Sequence, residues 1–343
     1  MVRDDNRDFE ARSQSIAAQF REKVKREALR EKLRVYTPIL LLFALSLIFS
    51  VYDRRFFSAA NINNLLYQMA IPLILATGIT FVLLLGSIDL SLEGIMGLSG
   101  SSIALLIQNT KNANDFGALG VAAPIAGCAL LGALTGYIHA KTRIASFVAT
   151  FAMGSIATGL AVLTYRGVPA VLKAQWVVGL SVGSFLRIPY LTWIAFGIFG
   201  AGCVLLHQTA FGVAVYAIGD NEPAARASGS KVDAVKISAF AICACTAGIA
   251  GFVSCVRLKI GQVAIGTDQL FPAITALVLG GVALTGGKGG MLQTFVGVLI
   301  YTELQNFLTI VGVDAYYKNA VQGIIIIVAV ALTVPRSRKT ISK

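Results

Sequence analysis

Long apolar runs recur along nearly the whole chain and constrain its fold more than any other feature. Ten such runs, separated by short polar stretches, cover residues 37–51, 68–85, 94–108, 118–140, 145–164, 189–206, 233–256, 270–284, 291–311 and 320–334. A helix needs about 20 mostly apolar residues to cross a bilayer. Only 13% of the 343 residues are charged, which is too few for a soluble protein of this length. The sequence therefore predicts an all-α, polytopic membrane protein with about ten transmembrane helices.

Basic residues cluster at the two ends of the chain. Of the 29 Lys and Arg residues, ten lie in residues 1–36 and four follow Pro335. Basic clusters beside apolar runs are retained in the cytoplasm, and an even number of spans puts both termini on one side. We therefore expect a cytoplasmic basic segment at 1–36, a transmembrane domain at 37–334 and a cytoplasmic tail at 335–343. The net charge of +12 is explained by membrane orientation and does not indicate nucleic-acid binding.

Carboxylates stand between the second and third apolar runs. The segment GSIDLSLEG, at residues 86–94, contains Asp89, Ser91 and Glu93. A charge at the bilayer centre costs about 2.5–3.5 kcal/mol on insertion scales, so such residues usually face a protein interior or an aqueous path. One interpretation places them on a translocation pathway, beside a broken helix that the flanking glycines permit. The alternative is a cytoplasmic turn in which Asp89 caps the next helix.

A second polar group lies inside the ninth apolar run. Glu303, Gln305 and Asn306 follow one another closely there, and Glu303 and Asn306 share one helix face. These side chains either bind a hydroxylated solute on the pathway or join neighbouring helices through hydrogen bonds. We include Glu303 and Asn306 among the candidate pathway residues.

Two connections are longer than the others. The connection at 207–232, predicted to be cytoplasmic, contains an Ala-rich stretch from Glu222 to Ser228 that can form two helical turns and stop at Gly229. This stretch is either a docking element for a soluble partner or an ordinary loop. The connection at 165–188 is predicted to lie outside, where Lys173, Trp176 and Arg187 are available to an external protein partner.

The sequence offers no convincing catalytic, metal or nucleotide site. The glycine loop at residues 286–290, with Gly286, Gly287, Lys288 and Gly289, lacks the GxxxxGKS/T spacing of a phosphate loop. Ser99 stands in a GxSG stretch, but the predicted spans keep it away from both histidines, so no base can activate it. We therefore expect no enzymatic activity, no metal and no cofactor in this chain.

Several of these segments together resemble the sugar ABC importer permeases of the ribose, xylose and autoinducer-2 type. The resemblance extends over residues 61–332. Its motifs lie at 61–94, where an apolar run ends in a GIDLS-like sequence, at 211–237, at 276–289 and at Tyr316-Tyr317. Glu93 and Asp220 depart from the glycines that are frequent in that family at these positions.

The resemblance implies partners as well as a function. It implies a second permease copy or homologue, a cytoplasmic ATPase that binds ATP and Mg, and a periplasmic or lipid-anchored sugar-binding protein, all at a bacterial inner membrane. It also implies that residues 219–229, here called the coupling segment, insert into the ATPase. The candidate residues of that segment are Gly219, Asp220, Asn221, Glu222, Ala224, Ala225, Arg226 and Gly229. The alternatives are a permease for nucleosides or branched-chain amino acids, or an ion-coupled secondary transporter.

Overall fold

The fold is taken from a computed structural model, which describes residues 21–22, 36–314, 317–318, 320–321 and 323–324. Nearly all of the predicted basic segment 1–36, most of the predicted span 320–334 and the whole tail 335–343 lie outside the described residues. The predicted all-α fold is confirmed, since strands occur in the described part only as short pairs of two residues each.

Eleven α-helices cover most of the described residues. They are α1 (Tyr36–Tyr52), α2 (Ala59–Leu84), α3 (Leu92–Leu106), α4 (Gly117–Thr142), α5 (Ser146–Tyr165), α6 (Gln175–Val182), α7 (Tyr190–His207), α8 (Ala210–Ala227), α9 (Val232–Leu258), α10 (Leu270–Gly280) and α11 (Met291–Ile310). Short 3-10 turns cover Arg54–Phe57 and Val263–Gly266. Strand β1 (Ala170–Val171) pairs with β4 (Ile260–Gly261), and β2 (Ser184–Phe185) pairs with β3 (Ile188–Pro189).

Six helical stretches in the described part are long and apolar enough to cross a membrane. They are Ala59–Leu84, Gly117–Thr142, Ser146–Tyr165, Tyr190–His207, Val232–Leu258 and Val263–Gly280, the last of which joins a 3-10 turn to α10. Two further apolar helices, α1 and α3, are shorter. These helices establish a multi-pass membrane protein, while the number of ten spans stays a prediction.

Helix α2 begins nine residues before the apolar run that predicted it, at Ala59 instead of residue 68. Ser58 caps its start, because the Ser58 hydroxyl accepts a hydrogen bond from the Asn61 backbone N–H at 3.2 Å. The first turns are polar, and the Asn61 side chain in them exchanges hydrogen bonds with Asn306 of α11. A hydropathy pattern cannot detect a helical turn whose polar side chains are satisfied by another helix.

Helix α9 lies at the centre of the bundle and packs against α2, α3 and α4. Small side chains, Ala239, Cys243, Ala247 and Ala250, recur on it at helical spacing, and each has 0% of its surface exposed. Lipid tails are as apolar as the helices, so association depends on close van der Waals contact, which small side chains permit. The core of this protein is therefore built by close approach of backbones around α9.

Helix α10 by itself is too short to cross a bilayer. Helix α10 has 11 residues, about 16 Å at 1.5 Å per residue. The helices α2 and α10 end alike, since each has a left-handed glycine, Gly86 (φ 71°) and Gly281 (φ 92°), just after its last turn. In both, the glycine N–H and the next N–H bond back to carbonyls of the last turn, which is a Schellman motif. We call the non-helical segments that follow the first break (residues 85–91) and the second break (281–290).

The first break is buried inside the bundle, and hydroxyls of α5 satisfy its backbone. The Ile88 N–H donates to Ser146 Oγ and the Leu90 N–H donates to Thr150 Oγ1, both at 3.0 Å. Non-helical backbone inside a membrane domain is tolerated only where protein groups or water satisfy it. These two hydroxyls therefore explain how the chain interrupts its helices at this depth.

We expect Thr150→Val to lower the thermal stability of the purified protein, because it leaves the buried Leu90 N–H without an acceptor. Such a loss costs about 1–3 kcal/mol. The matched control is Ser155→Ala on the same helix, whose exposed hydroxyl bonds only to the Phe151 carbonyl one turn earlier. The unfolding temperature of both variants is measured in detergent. An equal decrease in the two variants would show that the first break does not depend on Thr150.

Candidate functional site

The carboxylates of the GSIDLSLEG segment are engaged by the protein itself. Asp89 is 2% exposed, and its Oδ1 accepts hydrogen bonds from the Ser91 N–H (2.9 Å) and the Ser91 hydroxyl (2.6 Å). Its other neighbour is the Cys243 thiol near the middle of α9. Glu93 Oε1 accepts the Leu270 N–H at 3.1 Å and so caps the start of α10. Asp89 therefore bonds within the break and does not cap α3, whose N-cap residue Ser91 makes no side-chain capping bond, whereas Glu93 caps α10.

The polar residues of the ninth run join helices. The Ser46 hydroxyl of α1 lies 2.9 Å from both carboxylate oxygens of Glu303. Asn306 exchanges two hydrogen bonds with Asn61 of α2, at 3.1 and 3.0 Å. The Phe49 and Phe307 rings stack beside Glu303, with centroids 3.9 Å apart. Glu303 and Asn306 therefore make the helix-to-helix contacts that the sequence analysis left as the alternative to a pathway role.

A polar cavity of about 490 Å³ lies between α2, α9, α11 and the segment 264–269 that precedes α10. Its lining contains three amide side chains, Gln68, Gln269 and Gln305, from three different parts of the chain. Amides both donate and accept hydrogen bonds, so together they match the hydroxyl groups of a polyol. None of the predicted pathway residues, which are Asp89, Ser91, Glu93, Glu303 and Asn306, is among the residues that line it.

The cavity also contains a cation and an unsatisfied hydroxyl. The Arg257 guanidinium lies over the Tyr67 ring, 4.4 Å from its centroid, and lines the cavity with Tyr301 and Thr302. The buried Thr302 hydroxyl has no hydrogen-bond partner among the described residues, and such a group costs free energy until something bonds to it. None of the described lining residues is Asp or Glu. The cavity is therefore suited to a neutral or anionic solute and not to a cation.

Most of this cavity was not predicted from the sequence. Gln305 stands beside Glu303 in the ninth apolar run, but Gln68 and Arg257 stand at the edges of two other apolar runs and belong to no motif. Amides and arginines inside or beside apolar runs were the available signal. The sequence could not show that they face one space, because α2, α9 and α11 are far apart along the chain.

The connection at 207–232 is mostly helix and not loop. Helix α8 covers Ala210–Ala227 and breaks at Asn221, whose backbone has φ −154° and ψ 93°. The Asn221 side chain accepts the Ala224 N–H at 3.0 Å and caps a second, short helix. That helix stops before Gly229, whose φ is +86°. The predicted two-turn helix and its glycine stop are therefore present, while the helix before the break was not predicted.

The coupling segment presents one face to solvent and one to the protein. Asp220, Asn221, Ala224 and Arg226 are exposed, whereas Ala225 is only 5% exposed and packs into an apolar cluster with α2, α7 and α9. Ala225 therefore holds the short helix on the membrane domain. The exposed small side chains are those that a partner protein can approach.

Ion pairs fix the short helix to neighbouring helices. Arg226 pairs with Glu222 at 3.2 Å, as the i, i+4 spacing predicts, and also with Asp233 of α9 at 2.9 Å. Lys236 of α9 pairs with Glu222 at 2.7 Å, and Lys141 of α4 pairs with Asp233 at 2.8 Å. Burial by itself would raise the pKa of Glu222, but the hydrogen bonds and charges of Lys236 and Arg226 outweigh it and lower that pKa. The segment is thus charged, and it is held to the ends of α4 and α9.

The coupling segment also contacts the end of α2 and the second break through backbone atoms. A Cβ atom on Gly219 would overlap the Leu84 carbonyl oxygen, so only glycine permits this approach. The same Leu84 carbonyl accepts the Gly287 N–H at 2.8 Å. The Tyr216 hydroxyl donates to the Gly289 carbonyl at 2.8 Å. Helix α8 and the glycine loop therefore meet at the end of α2, just before the first break.

The remaining members of the glycine loop lie at the same junction. Gly286 packs beside the Gly86 N–H and the Gly219 carbonyl. Lys288 is exposed, and its carbonyl accepts the Ala283 N–H at 2.9 Å, which closes the loop on itself. The loop therefore supplies backbone contacts, and its one cation faces outward.

The connection at 165–188 lies at the opposite end of the bundle, where Leu172 and Lys173 bond to the ends of α9 and α3. Lys173, Trp176 and Arg187 are all exposed. Arg187 and Leu186 form the tip of the β2–β3 hairpin, and both have left-handed backbones, with φ of 63° and 52°. These angles suit a tight hairpin turn but are unfavourable for side chains other than Gly, Asn or Asp. The hairpin therefore exposes an apolar and a cationic side chain at some cost in stability.

Comparisons with known proteins agree with this architecture. Residues 61–330 match the family described as the branched-chain amino acid transport system / permease component. The chain is 36% identical to the ribose import permease protein of Escherichia coli over 296 residues, which cover 85% of this chain and 91% of the relative. It is 36% identical to the ribose import permease protein of Bacillus subtilis over 304 residues, covering 86% and 91%. It is 34% identical to the L-arabinose ABC transporter permease protein of Azospirillum brasilense over 294 residues, covering 85% and 84%. No solved structure matches the chain.

Proposed function

Because this chain belongs to the family of branched-chain amino acid transport system permease components, we propose that it is the membrane-spanning subunit of an ATP-driven importer whose solute is a monosaccharide. The relatives named above support a sugar, since their names state ribose or arabinose. Membership of a permease family favours an ATP-driven importer over an ion-coupled secondary transporter.

The composition of the polar cavity is the main structural reason for proposing a sugar as the solute. A branched-chain amino acid is a zwitterion, and Arg257 can pair with its carboxylate but leaves its ammonium without a partner in a lining that lacks Asp and Glu. A buried charge without a partner is costly, whereas a neutral sugar needs only hydrogen-bond partners. The amides of Gln68, Gln269 and Gln305 supply these partners.

The ATP that drives import is proposed to bind, with Mg, to a separate cytoplasmic ATPase subunit. Its contact is the exposed face of the coupling segment. Since Gly219 lies on Leu84, and Tyr216 of the same helix α8 bonds to Gly289, a displacement of this segment also displaces the end of α2 and the second break. ATP binding and sugar binding are then coupled because the packed helices have two arrangements, and each ligand changes the free-energy difference between these arrangements.

Two further partners complete the proposal. A second permease copy or homologue pairs with this chain in the membrane. An external sugar-binding protein docks at the opposite end of the bundle, where Lys173, Trp176 and Arg187 are exposed. Capture and selection by that protein leave the cavity free to bind sugar weakly, so that it can release the sugar again.

We propose that the coupling segment faces the cytoplasm of a bacterial inner membrane. A single cysteine at Ser228 should then react with a membrane-impermeant thiol reagent only in inverted vesicles, and one at Gln175 only in intact cells or right-side-out vesicles. Both positions are exposed, whereas the neighbouring Ala174 is 1% exposed and would not label. Labelling of both cysteines from the same side would refute the topology.

We expect Gln305→Leu and Gln68→Leu to lower sugar uptake by roughly tenfold, because each removes hydrogen bonds worth about 1–1.5 kcal/mol to the solute. Uptake of a labelled pentose or hexose is measured in proteoliposomes that contain the whole transporter. Gln108→Leu is the matched control, since Gln108 is exposed and does not line the cavity.

Competition identifies the solute class in the same assay. Excess monosaccharide should block uptake, whereas leucine and nucleosides should not. Block by leucine would support the branched-chain amino acid alternative, and block by nucleosides would support the nucleoside alternative. Unchanged uptake in both cavity variants would remove the cavity from the pathway.

We expect Ala224→Trp to abolish uptake and to reduce co-purification of the ATPase subunit, while the membrane domain stays folded. A bulky side chain on this exposed position blocks close approach of a partner without entering the core. Ala113→Trp, on an exposed connection at the opposite end, is the control and should leave ATPase association unchanged. Normal uptake and normal co-purification of Ala224→Trp would mean that the partner binds elsewhere.

A further inference from the structure

A charged recess of about 530 Å³ lies beside the coupling segment, whose Glu222 and Arg226 help to line it. It is formed by the end of α4, the short helix of α8 and the start of α9. The charged residues that line it are Lys141, Arg143, Glu222, Arg226, Asp233 and Lys236. Four cations thus face two carboxylates, which leaves an excess of two positive charges.

The two carboxylates are saturated by three of the cations. Asp233 bonds to Lys141 and Arg226, and Glu222 bonds to Arg226 and Lys236. Arg143 has no partner among the described residues and also lines the recess. A guanidinium without a carboxylate partner, in a recess with excess positive charge, is suited to an anion with several oxygens, and phosphate fits it best.

The position of Arg143 is fixed by its backbone. It ends α4 in a left-handed conformation, with φ of 58°. His139 Nδ1 lies 2.8 Å from the Ile144 carbonyl oxygen, and since a carbonyl only accepts, the ring donates there and closes the turn around Arg143. The cation is thus held at the rim by a defined turn.

Exposed apolar side chains stand on both sides of Arg143 along the chain. Tyr137 on the last turns of α4, Ile144 in the connection and Phe147 on the first turn of α5 are 52%, 42% and 54% exposed. Tyr137 and Phe147 belong to helices whose spans are among the least buried in the bundle. A ligand that covers the recess and these side chains needs an anionic head and an apolar tail.

We propose that this recess binds the phosphate of an anionic phospholipid headgroup, with Arg143 as its main contact and the acyl chains against Tyr137, Ile144 and Phe147. Basic recesses between membrane helices on the cytoplasmic side are suited to such headgroups. The bound phosphate also balances the excess charge beside the ion pairs that hold the short helix. The proposal does not depend on which solute is transported.

Native mass spectrometry of the purified, delipidated chain tests the proposal. Phosphatidylglycerol and phosphatidylcholine with identical acyl chains are added separately and the bound lipids are counted. We expect the chain to prefer phosphatidylglycerol, and Arg143→Gln to weaken that binding roughly tenfold while phosphatidylcholine binding stays unchanged. Arg143→Lys, which keeps the charge, should restore most of the preference.

The matched control is Lys231→Gln, since Lys231 is an exposed cation at the same end but does not line the recess. It should leave the preference unchanged, and thermal unfolding verifies that every variant is folded. Equal binding of the two lipids, or a preference that survives Arg143→Gln, would overturn the proposal.

Two further outcomes would assign the recess to another ligand and also overturn the proposal. Displacement of phosphatidylglycerol by millimolar inorganic phosphate would identify a free-anion site. Unchanged lipid binding in Arg143→Gln, together with lost ATPase co-purification, would identify a protein contact.

Discussion

The structure depends on one constraint, which is that every backbone N–H and C=O inside the membrane domain must find a partner within the protein. Unbroken helices meet this requirement by themselves. The first break does not, and its N–H groups are satisfied by Ser146 and Thr150 of a neighbouring helix. Both breaks can exist only where other helices surround them, so the bundle must form before its interruptions become stable.

The same constraint explains how the carboxylates are used. Asp89 bonds to the backbone and hydroxyl of Ser91, and Glu93 bonds to the first N–H of α10. Each of these acids therefore satisfies donors near the interruptions. The polar cavity is lined by amides, hydroxyls and one arginine among its polar groups, and the described part of its lining carries no negative charge. The acids predicted as pathway residues thus bond to backbone and hydroxyl groups of the protein, and none of them lines the cavity.

The interruptions also give the coupling segment its position. Leu84 ends α2, and its carbonyl bonds to Gly287 while contacting Gly219. The end of α2, helix α8 and the glycine loop are distant along the chain but meet there through backbone atoms. Backbone contacts leave less freedom of movement than contacts between flexible side chains. Ion pairs and the buried Ala225 add contacts on the other side of the short helix. A segment attached to the end of α2 and to the second break is well placed to transmit force to them.

The sequence by itself determined the all-α membrane fold, most helix positions and the two-turn helix after Asn221. The family resemblance drawn from short motifs is confirmed. All of these depend on local spacing, since hydropathy, capping and i, i+4 contacts involve residues within a few turns of each other. Only the tertiary structure decided that Glu303 meets Ser46, that Ala225 faces inward, and that Gln68, Arg257 and Gln305 share one cavity. Those outcomes depend on how helices far apart in sequence rotate against each other, and that rotation is set by side-chain packing that no single segment contains.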